Sequence, residues 1–404
     1  MHVAVIGAGV IGVTTAYYLA KRGHDVTVID REQEVAIGAS YANGGQLSYT
    51  FTDALAKPAF LAKIPGLLAG RDPASKVRLD AALVPWGLRF LAQCTDKRAA
   101  ENTVAVLKTA LRSASLLEEL CASVPLEFSH RRAGKLVLLS NAEEIRGAQA
   151  STVLKNAHGS DTELLSPQEA VGIEPALAYL AEDFVGAVYS PSDAVADSRR
   201  FAANLKEWLE QERGVQFLLG CDVARIEQAN GRLRAVELGG QTLAPDAVVV
   251  CAGAWGGKLL RPLGINPYVY PMRGYSVTLP PGDAAPSVSF TALRHRMVFS
   301  RLDDRVRIAG FADFNGFNTD NDAARIDQLL DIARRYAPQA ADYSANEKGH
   351  WGGFRPMTPS GQPSVGRSKI DGVYLNIGHG MLGWTLACAS GHDVAQCVSP
   401  ASGS

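Results

Sequence analysis

The sequence predicts an α/β fold: a doubly wound, Rossmann-type domain interleaved with a second domain built on an antiparallel sheet. Three observations carry that expectation. The chain opens as strand, glycine turn, helix and strand, with an acid closing the second strand. Near its end the strand-like Val373–Ile377 runs into another glycine turn and a closing helix, Gly383–Val398. Between these, some strands are flanked by helices and others follow one another as a meander, the mixture expected of two interleaved layers. At 404 residues the chain exceeds one compact core and points to two domains.

Taken in order, His2–Ile6 is a short apolar strand broken by Gly7-Ala-Gly9-Val10-Ile11-Gly12. A helix continues to about Lys21, and Asp25–Ile29 returns as a strand ended by Asp30. This is the GxGxxG turn of a dinucleotide-binding βαβ unit. Gly7 permits the tight turn, Gly9 lets the backbone approach a pyrophosphate, and Gly12 lets helix and strand pack closely. The helix N-terminus offers free N–H groups to the phosphates. Asp30 lies 18 residues after Gly12, where an acid hydrogen-bonds an adenosine ribose and repels a 2′-phosphate, which argues against NADP. The pattern alone does not choose between NAD and FAD.

From about Asp53 to Ser123 the chain is helix-rich, with Val104, Leu107, Leu111, Ala114, Leu117 and Cys121 on one helical stripe. Lys135–Leu139 and Val185–Tyr189 read as strands. Asp197 or Ser198 caps a helix whose Phe201, Leu205, Trp208 and Leu209 share a face, and Gly214 ends it. Val215–Leu219 is a strand, Asn230-Gly231 turns a hairpin, and Ala247–Cys251 is a buried strand. Strands broken by prolines fill 267–310, and Ile326, Leu329, Ala333 and Tyr336 mark a helix. The terminal Ser399-Pro-Ala-Ser-Gly-Ser is set aside as a tail.

Composition excludes several classes. Forty basic residues against 41 acidic ones leave a formal charge of −1, without the basic excess that a sequence-independent grip on nucleic acid needs. The six cysteines (Cys94, Cys121, Cys221, Cys251, Cys388, Cys397) are scattered with no CxxC pair, and read as reduced core residues of a cytoplasmic protein. No metal-ligand pattern is expected. Val3–Ile6 breaks directly into a glycine turn, unlike a signal peptide, and no apolar run approaches the roughly 20 residues that span a bilayer. Phe60–Leu68 carries Lys63 and Pro65, so it could at most lie on a membrane surface.

Further segments carry the chemistry. Gly38-Ala-Ser40-Tyr-Ala-Asn43-Gly44-Gly45-Gln46 is a small-residue loop suited to backbone donors near a bulky ligand. Asp246-Ala-Val-Val-Val-Cys-Ala252-Gly253-Ala-Trp255 is a strand ending in a bend, and Asn376-Ile-Gly378-His379-Gly380-Met381-Leu382-Gly383-Trp384-Thr385 opens the last helix. Trp351-Gly-Gly-Phe354-Arg355-Pro356 and Tyr270-Pro-Met-Arg273-Gly-Tyr275 supply guanidinium and phenol groups in aromatic settings.

With these segments the chain resembles the D-amino-acid oxidase superfamily of FAD enzymes, and within it the bacterial D-amino-acid dehydrogenases, from Met1 to about Val398. Carried over residue by residue, the resemblance implies FAD contacts at Gly7, Gly9, Val10, Ile11, Gly12, Asp30, Arg31, Ser40, Asn43, Gly44, Gly45, Gln46, Val223, Ala252 and Gly253. It adds a second group at Gly378, His379, Gly380, Met381, Leu382, Gly383, Trp384 and Thr385. It divides the chain into an FAD-binding domain (1–50, 164–264, 350–398), a helical cover packed on that domain (51–110) and a substrate domain (111–163, 265–349).

Arg355 is expected to hold the substrate carboxylate with its planar fork of donors. Tyr275 fits either a donor to that carboxylate or a half-buried strand tyrosine, and Arg273 is a further candidate. His379 fits a backbone-defining role better than a general base, and Tyr49 with Phe51 could form part of a lid. No cysteine lies between His350 and Pro363, where related sarcosine oxidases link their flavin, so FAD is expected to be non-covalent.

The implied reaction is hydride transfer from Cα of a D-amino acid to flavin N5, with hydrolysis to a 2-oxo acid and ammonia. Electrons would pass to a quinone or a dye in its place. Residues 55–91, apolar but punctuated by Lys57, Lys63, Arg71, Lys76, Arg78 and Arg89, fit either a peripheral contact with the inner face of the plasma membrane or a plain helical cover. Alternatives are a sibling flavoenzyme acting on glycine, sarcosine, proline or hydroxyproline, an NAD-dependent dehydrogenase, and a flavin-binding subunit without turnover.

Overall fold

A computed structural model describes residues 1–320, 322–345 and 349–398; the tail at 399–404 lies outside them. The predicted βαβ unit forms the centre of a six-stranded sheet. Its strand order is Ser364–Arg367, Val373–Ile377, Ala247–Val250, His2–Ile6, Asp25–Asp30 and Gln216–Leu219. All neighbours run parallel except the first two. Both faces are covered, which is why Ala247–Val250 is apolar without alternation. Val3, Val5 and Val28 face the helices Val10–Lys21, Ser198–Arg213 and Gly383–Val398; Ala4, Ile6 and Val248 face the three-stranded sheet of residues 223–243.

The eight-stranded sheet has the order Gly349–Met357, Tyr270–Leu279, Arg305–Asp313, Met297–Leu302, Ser289–Ala292, Lys135–Leu139, Gly186–Ser190 and Glu163–Leu165. One pair, Ser289–Ala292 with Lys135–Leu139, is parallel; the others are antiparallel. One face buries Leu136, Leu138, Phe290, Phe299 and Ile308 with Leu329 and Ala333 of the helix Asp322–Tyr336. The other face turns toward the nucleotide-binding layer: Ser276 donates to the Ala42 carbonyl at 2.6 Å.

Local signals act as expected. Asp197 accepts the N–H groups of Arg199 and Arg200 and caps the helix that Gly214 ends in the left-handed region. Asn230 and Gly231, with φ of 53° and 74°, turn the hairpin.

The domain boundaries need correction. Residue 110 lies inside one helix, Asp96–Ser123, whose Leu116, Leu117 and Leu120 pack with the first helix, so 111–123 belongs with the nucleotide-binding layer. Strands 163–165, 186–190 and 349–357 belong to the eight-stranded sheet. The first part of the cover packs Ala56, Leu83, Trp86 and Phe90 against Tyr270, Met272, Phe314 and Met357 on the substrate sheet, whereas Val106 and Ala110 at its end pack on the flavin domain as expected. A helical stripe reveals that a face is buried, but not by which partner.

Candidate active site

The two layers enclose a cavity of about 1000 Å³, at the upper end for a ligand site. Of the predicted cofactor residues all line it except Gly12, Gly45, Gly378 and Thr385. Gly7 has φ +109°, and a Cβ there would stand 2.7 Å from the Cys251 carbonyl oxygen; a Cβ on Gly12 would overlap the Gly7 carbonyl oxygen. The turn is therefore closed to larger residues. Val10 N–H, at the helix start, donates to Ser40 Oγ at 3.0 Å, bringing the first two segments together.

Asp30 accepts the Ala8 N–H at 2.6 Å and the Glu32 N–H at 3.0 Å, so it holds the turn as well as facing the cavity. Asn43 caps Gly45 N–H at 3.0 Å and donates to Ser198 at 2.8 Å, which makes it a loop-fixing residue. Arg31 lies over the Trp255 ring at 4.2 Å. Thr385 Oγ1 accepts the Ser48 N–H at 3.0 Å, tying the small-residue loop to the closing helix.

His379 is buried, and desolvation lowers its pKa to about 3, so the imidazole is neutral at physiological pH. A base with that pKa is too weak to take a proton from an ammonium, which supports the backbone-defining role. Its Nε2 and the Nε2 of Gln46 are buried on the cavity wall without a partner among the described residues. A dinucleotide-sized space, a turn sealed against side chains and unsatisfied polar atoms on the wall together fit a flavin dinucleotide.

At the substrate end the three predicted residues differ sharply. Arg273 is 7% exposed; it pairs with Asp322 through two hydrogen bonds and lies 4.3 Å over the Phe354 ring. Tyr275 donates its proton to Asp313 at 2.9 Å. Burial and that carboxylate together hold the phenol well above its usual range. Tyr275 has committed its one proton to Asp313 and Arg273 has its charge balanced by Asp322, so each is less disposed than an unpaired arginine to take a substrate carboxylate. Asp313 and Asp322 lie 38 and 49 residues from their partners, beyond any spacing argument.

Arg355 is different. Its guanidinium lies over Gly274, where a Cβ would overlap it, and Nη1 donates to the Phe311 carbonyl at 2.7 Å. Among the described residues no carboxylate pairs with it. Desolvation lowers its pKa to about 10, with Asp313 and Tyr275 opposing, so it stays charged. It is partly exposed, and it lines the cavity. It is an arginine awaiting an anion.

Sequence reasoning missed what stands behind it. Asp313 and Arg325, each 1% exposed, form a bidentate pair at 2.9 and 2.7 Å that also holds Tyr275, the Lys76 N–H and the Pro73 carbonyl. Of the expected lid, Phe51 lines the cavity, but Tyr49 is 5% exposed and belongs to the core against the helices.

The comparisons agree with this geometry. A family described as FAD dependent oxidoreductase matches residues 2–397. The chain belongs to the FAD-dependent oxidoreductase family. Among curated members, "D-amino acid dehydrogenase 2" of Ralstonia nicotianae is 38% identical over 99% of this chain and 96% of its own. "D-amino acid dehydrogenase" of Dechloromonas aromatica is 37% identical, covering 99% and 97%. Glycine oxidase from Geobacillus kaustophilus has the same fold, with TM-score 0.75 at 23% identity over 98% of this chain and 94% of that one. L-proline dehydrogenase from P. horikoshii matches at TM-score 0.73 and 20% identity, covering 98% and 93%. Membership of the FAD-dependent oxidoreductase family settles the choice that the glycine turn left open: the cofactor is FAD.

Proposed function

We propose that the protein is a D-amino-acid dehydrogenase that binds FAD non-covalently. One observation carries the reading: Arg355, charged and without a carboxylate partner among the described residues, faces the same cavity as the dinucleotide cradle. Nη1 is occupied, leaving Nε and Nη2 to grip a carboxylate as a fork. Tyr275, Asp313 and Arg325 hold the strand floor beneath it, and Gly274 leaves the guanidinium room. The closing helix begins at the cavity and presents its positive end there, where it would stabilise negative charge on a bound, reduced flavin. Bound FAD supplies a two-electron acceptor for the Cα hydride, and the released imine hydrolyses to a 2-oxo acid and ammonia. The D preference follows the names of the relatives at 35–38% identity.

The electron acceptor we infer is a membrane quinone. Among the described residues no helix is long and apolar enough to cross a membrane. Yet Leu61, Leu68, Leu79, Val84, Leu88 and Leu91, at 41–70% exposure, gather on the cover beside its basic residues. An apolar face with basic flanks suits a membrane interface.

Dye-linked turnover with product analysis tests the reading. D-amino acids with small or medium apolar side chains should yield 2-oxo acid and ammonia in equal amounts. Hydrogen peroxide formed at the dye-linked rate would make the protein an oxidase. Preference for L-proline, sarcosine or glycine would make it a sibling enzyme.

A further inference from the structure

A second buried cation faces the cavity without a task in this scheme. Lys135, at the start of its strand, is 2% exposed and lines the cavity. Its Nζ lies 2.9 Å from Ser48 Oγ and 4.0 Å from the Phe51 ring centroid, and both residues line the cavity too. Among the described residues it forms no ion pair. Ser48 is itself fixed, by its N–H, to the first turn of the closing helix.

The charged groups around Lys135 come from three elements. Asp193, in the turn after Gly186–Ser190, attracts it; Lys155, from the helix Ala142–Asn156, repels it; Asp53, after Gln46–Leu47, attracts it. Asp53 and Lys155 neutralise one another at 2.9 Å. Asp193 is spoken for in part by the Thr50 N–H and hydroxyl at 3.1 and 3.3 Å. Among the described residues Lys135 thus has a hydroxyl as its one hydrogen-bonding neighbour, with Asp193, whose Oδ2 is buried without a partner among them, as the charge that opposes burial.

We propose that Lys135, acting through Ser48, takes the proton that an amino-acid substrate must lose before its Cα–H can leave as hydride. The proposal rests on the amine-oxidising reading above. In the step, the substrate ammonium gives a proton to Ser48 Oγ while the Ser48 hydroxyl proton passes to neutral Lys135 Nζ. The substrate becomes a neutral amine with its lone pair free, the lysine becomes an ammonium, and the hydroxyl is restored. No electron changes hands, and Lys135 later returns its proton to water. Burial lowers the lysine's pKa and so favours the neutral form the step requires, while the same burial raises that of Asp193. A hydroxyl 2.9 Å from the lysine on the same cavity wall favours a relay over a second anion site, which would leave the ammonium to the anion alone.

The test is the rate of anaerobic flavin reduction by a small neutral D-amino acid between about pH 6 and 10, which spans the lysine range. In the wild type the rate should rise with pH along a limb below the ionisation of the free amino acid's ammonium. Lys135→Met should slow reduction at neutral pH by roughly 10²–10³-fold and move the limb up to that ionisation. FAD content and the binding of an unreactive carboxylate, read from the flavin spectrum, should be unchanged. Lys135→Arg, always charged, should be no faster than Lys135→Met. Ser48→Ala should displace the limb in the same way with a smaller loss, and decides the matter if Lys135→Met does not hold its flavin. An unmoved limb in these variants overturns the proposal. So does a Lys135→Arg enzyme with wild-type rates, or a defect confined to acidic substrates, which would make Lys135 an anion subsite. Failure of every amino acid to reduce the wild-type flavin would instead overturn the amine-oxidising reading.

Discussion

Replacing Arg355 by Met removes a partly desolvated guanidinium from the cavity wall. Among the described residues only the Phe311 carbonyl accepts from the guanidinium, at Nη1. A substrate carboxylate therefore gains two charge-assisted hydrogen bonds, at about 1.5–3 kcal/mol each. That agrees with the roughly 2–5 kcal/mol lost when one partner of a buried charge pair is removed. At about 1.4 kcal/mol per decade, kcat/KM for D-amino acids should fall by something like 10¹·⁵ to 10³·⁵. Arg355→Lys should recover only part, since a point charge cannot form the fork.

Dye-linked kinetics measure the effect, with flavin absorbance as the control for cofactor retention. A simple amine without a carboxylate, oxidised poorly by both proteins, should be nearly indifferent to the substitution. Near wild-type turnover of amino acids by flavin-loaded Arg355→Met would refute the assignment. Because Arg273 and Tyr275 are committed to Asp322 and Asp313, neither is a ready substitute.

Other substitutions test the surroundings. Asp313→Asn breaks a buried ion pair and should cost about 3–5 kcal/mol of stability, read as a fall in Tm, with KM raised as the floor beneath Arg355 loosens. Gly12→Ala, whose Cβ would overlap the Gly7 carbonyl oxygen, should give a colourless protein that added FAD does not reconstitute. The folded pKa of His379 lies below its unfolded value, so its contribution is whole above about pH 6.5 and is lost as pH falls toward about 3. Wild-type Tm should therefore drop more steeply on acidification than that of His379→Asn. Leu88→Glu, on the exposed side of the cover, should abolish sedimentation with anionic lipid vesicles while leaving dye-linked turnover unchanged.

The parts of the fold that were legible in the sequence depend on short-range rules. The first βαβ unit, the Asp197 cap and the Asn230-Gly231 hairpin each follow from residues within a few positions of one another. Long-range pairing was not legible. Lys135–Leu139 lies parallel to Ser289–Ala292, and that insertion draws the chain before residue 190 into the substrate sheet. The same limit applied at the site. The glycine segments announce a dinucleotide because only glycine fits where the backbone crowds. The role of an arginine, by contrast, is set by which carboxylate folds against it. Arg273, Arg325 and Arg355 look alike in sequence, and Asp322 and Asp313 separate them by pairing with two and leaving the third open. Lys135 gave no signal at all, since a lysine opening a strand is ordinarily a solvated one.

The central claim, an FAD enzyme that takes hydride from D-amino acids held at this cavity, is tested most directly by one anaerobic experiment. The purified yellow protein is mixed without oxygen with each enantiomer of one apolar amino acid, and the flavin absorbance is followed. Complete bleaching by the D-enantiomer with the L-enantiomer inert is the predicted result. A flavin that stays oxidised with the D-enantiomer, or bleaches equally well with both, would contradict the account.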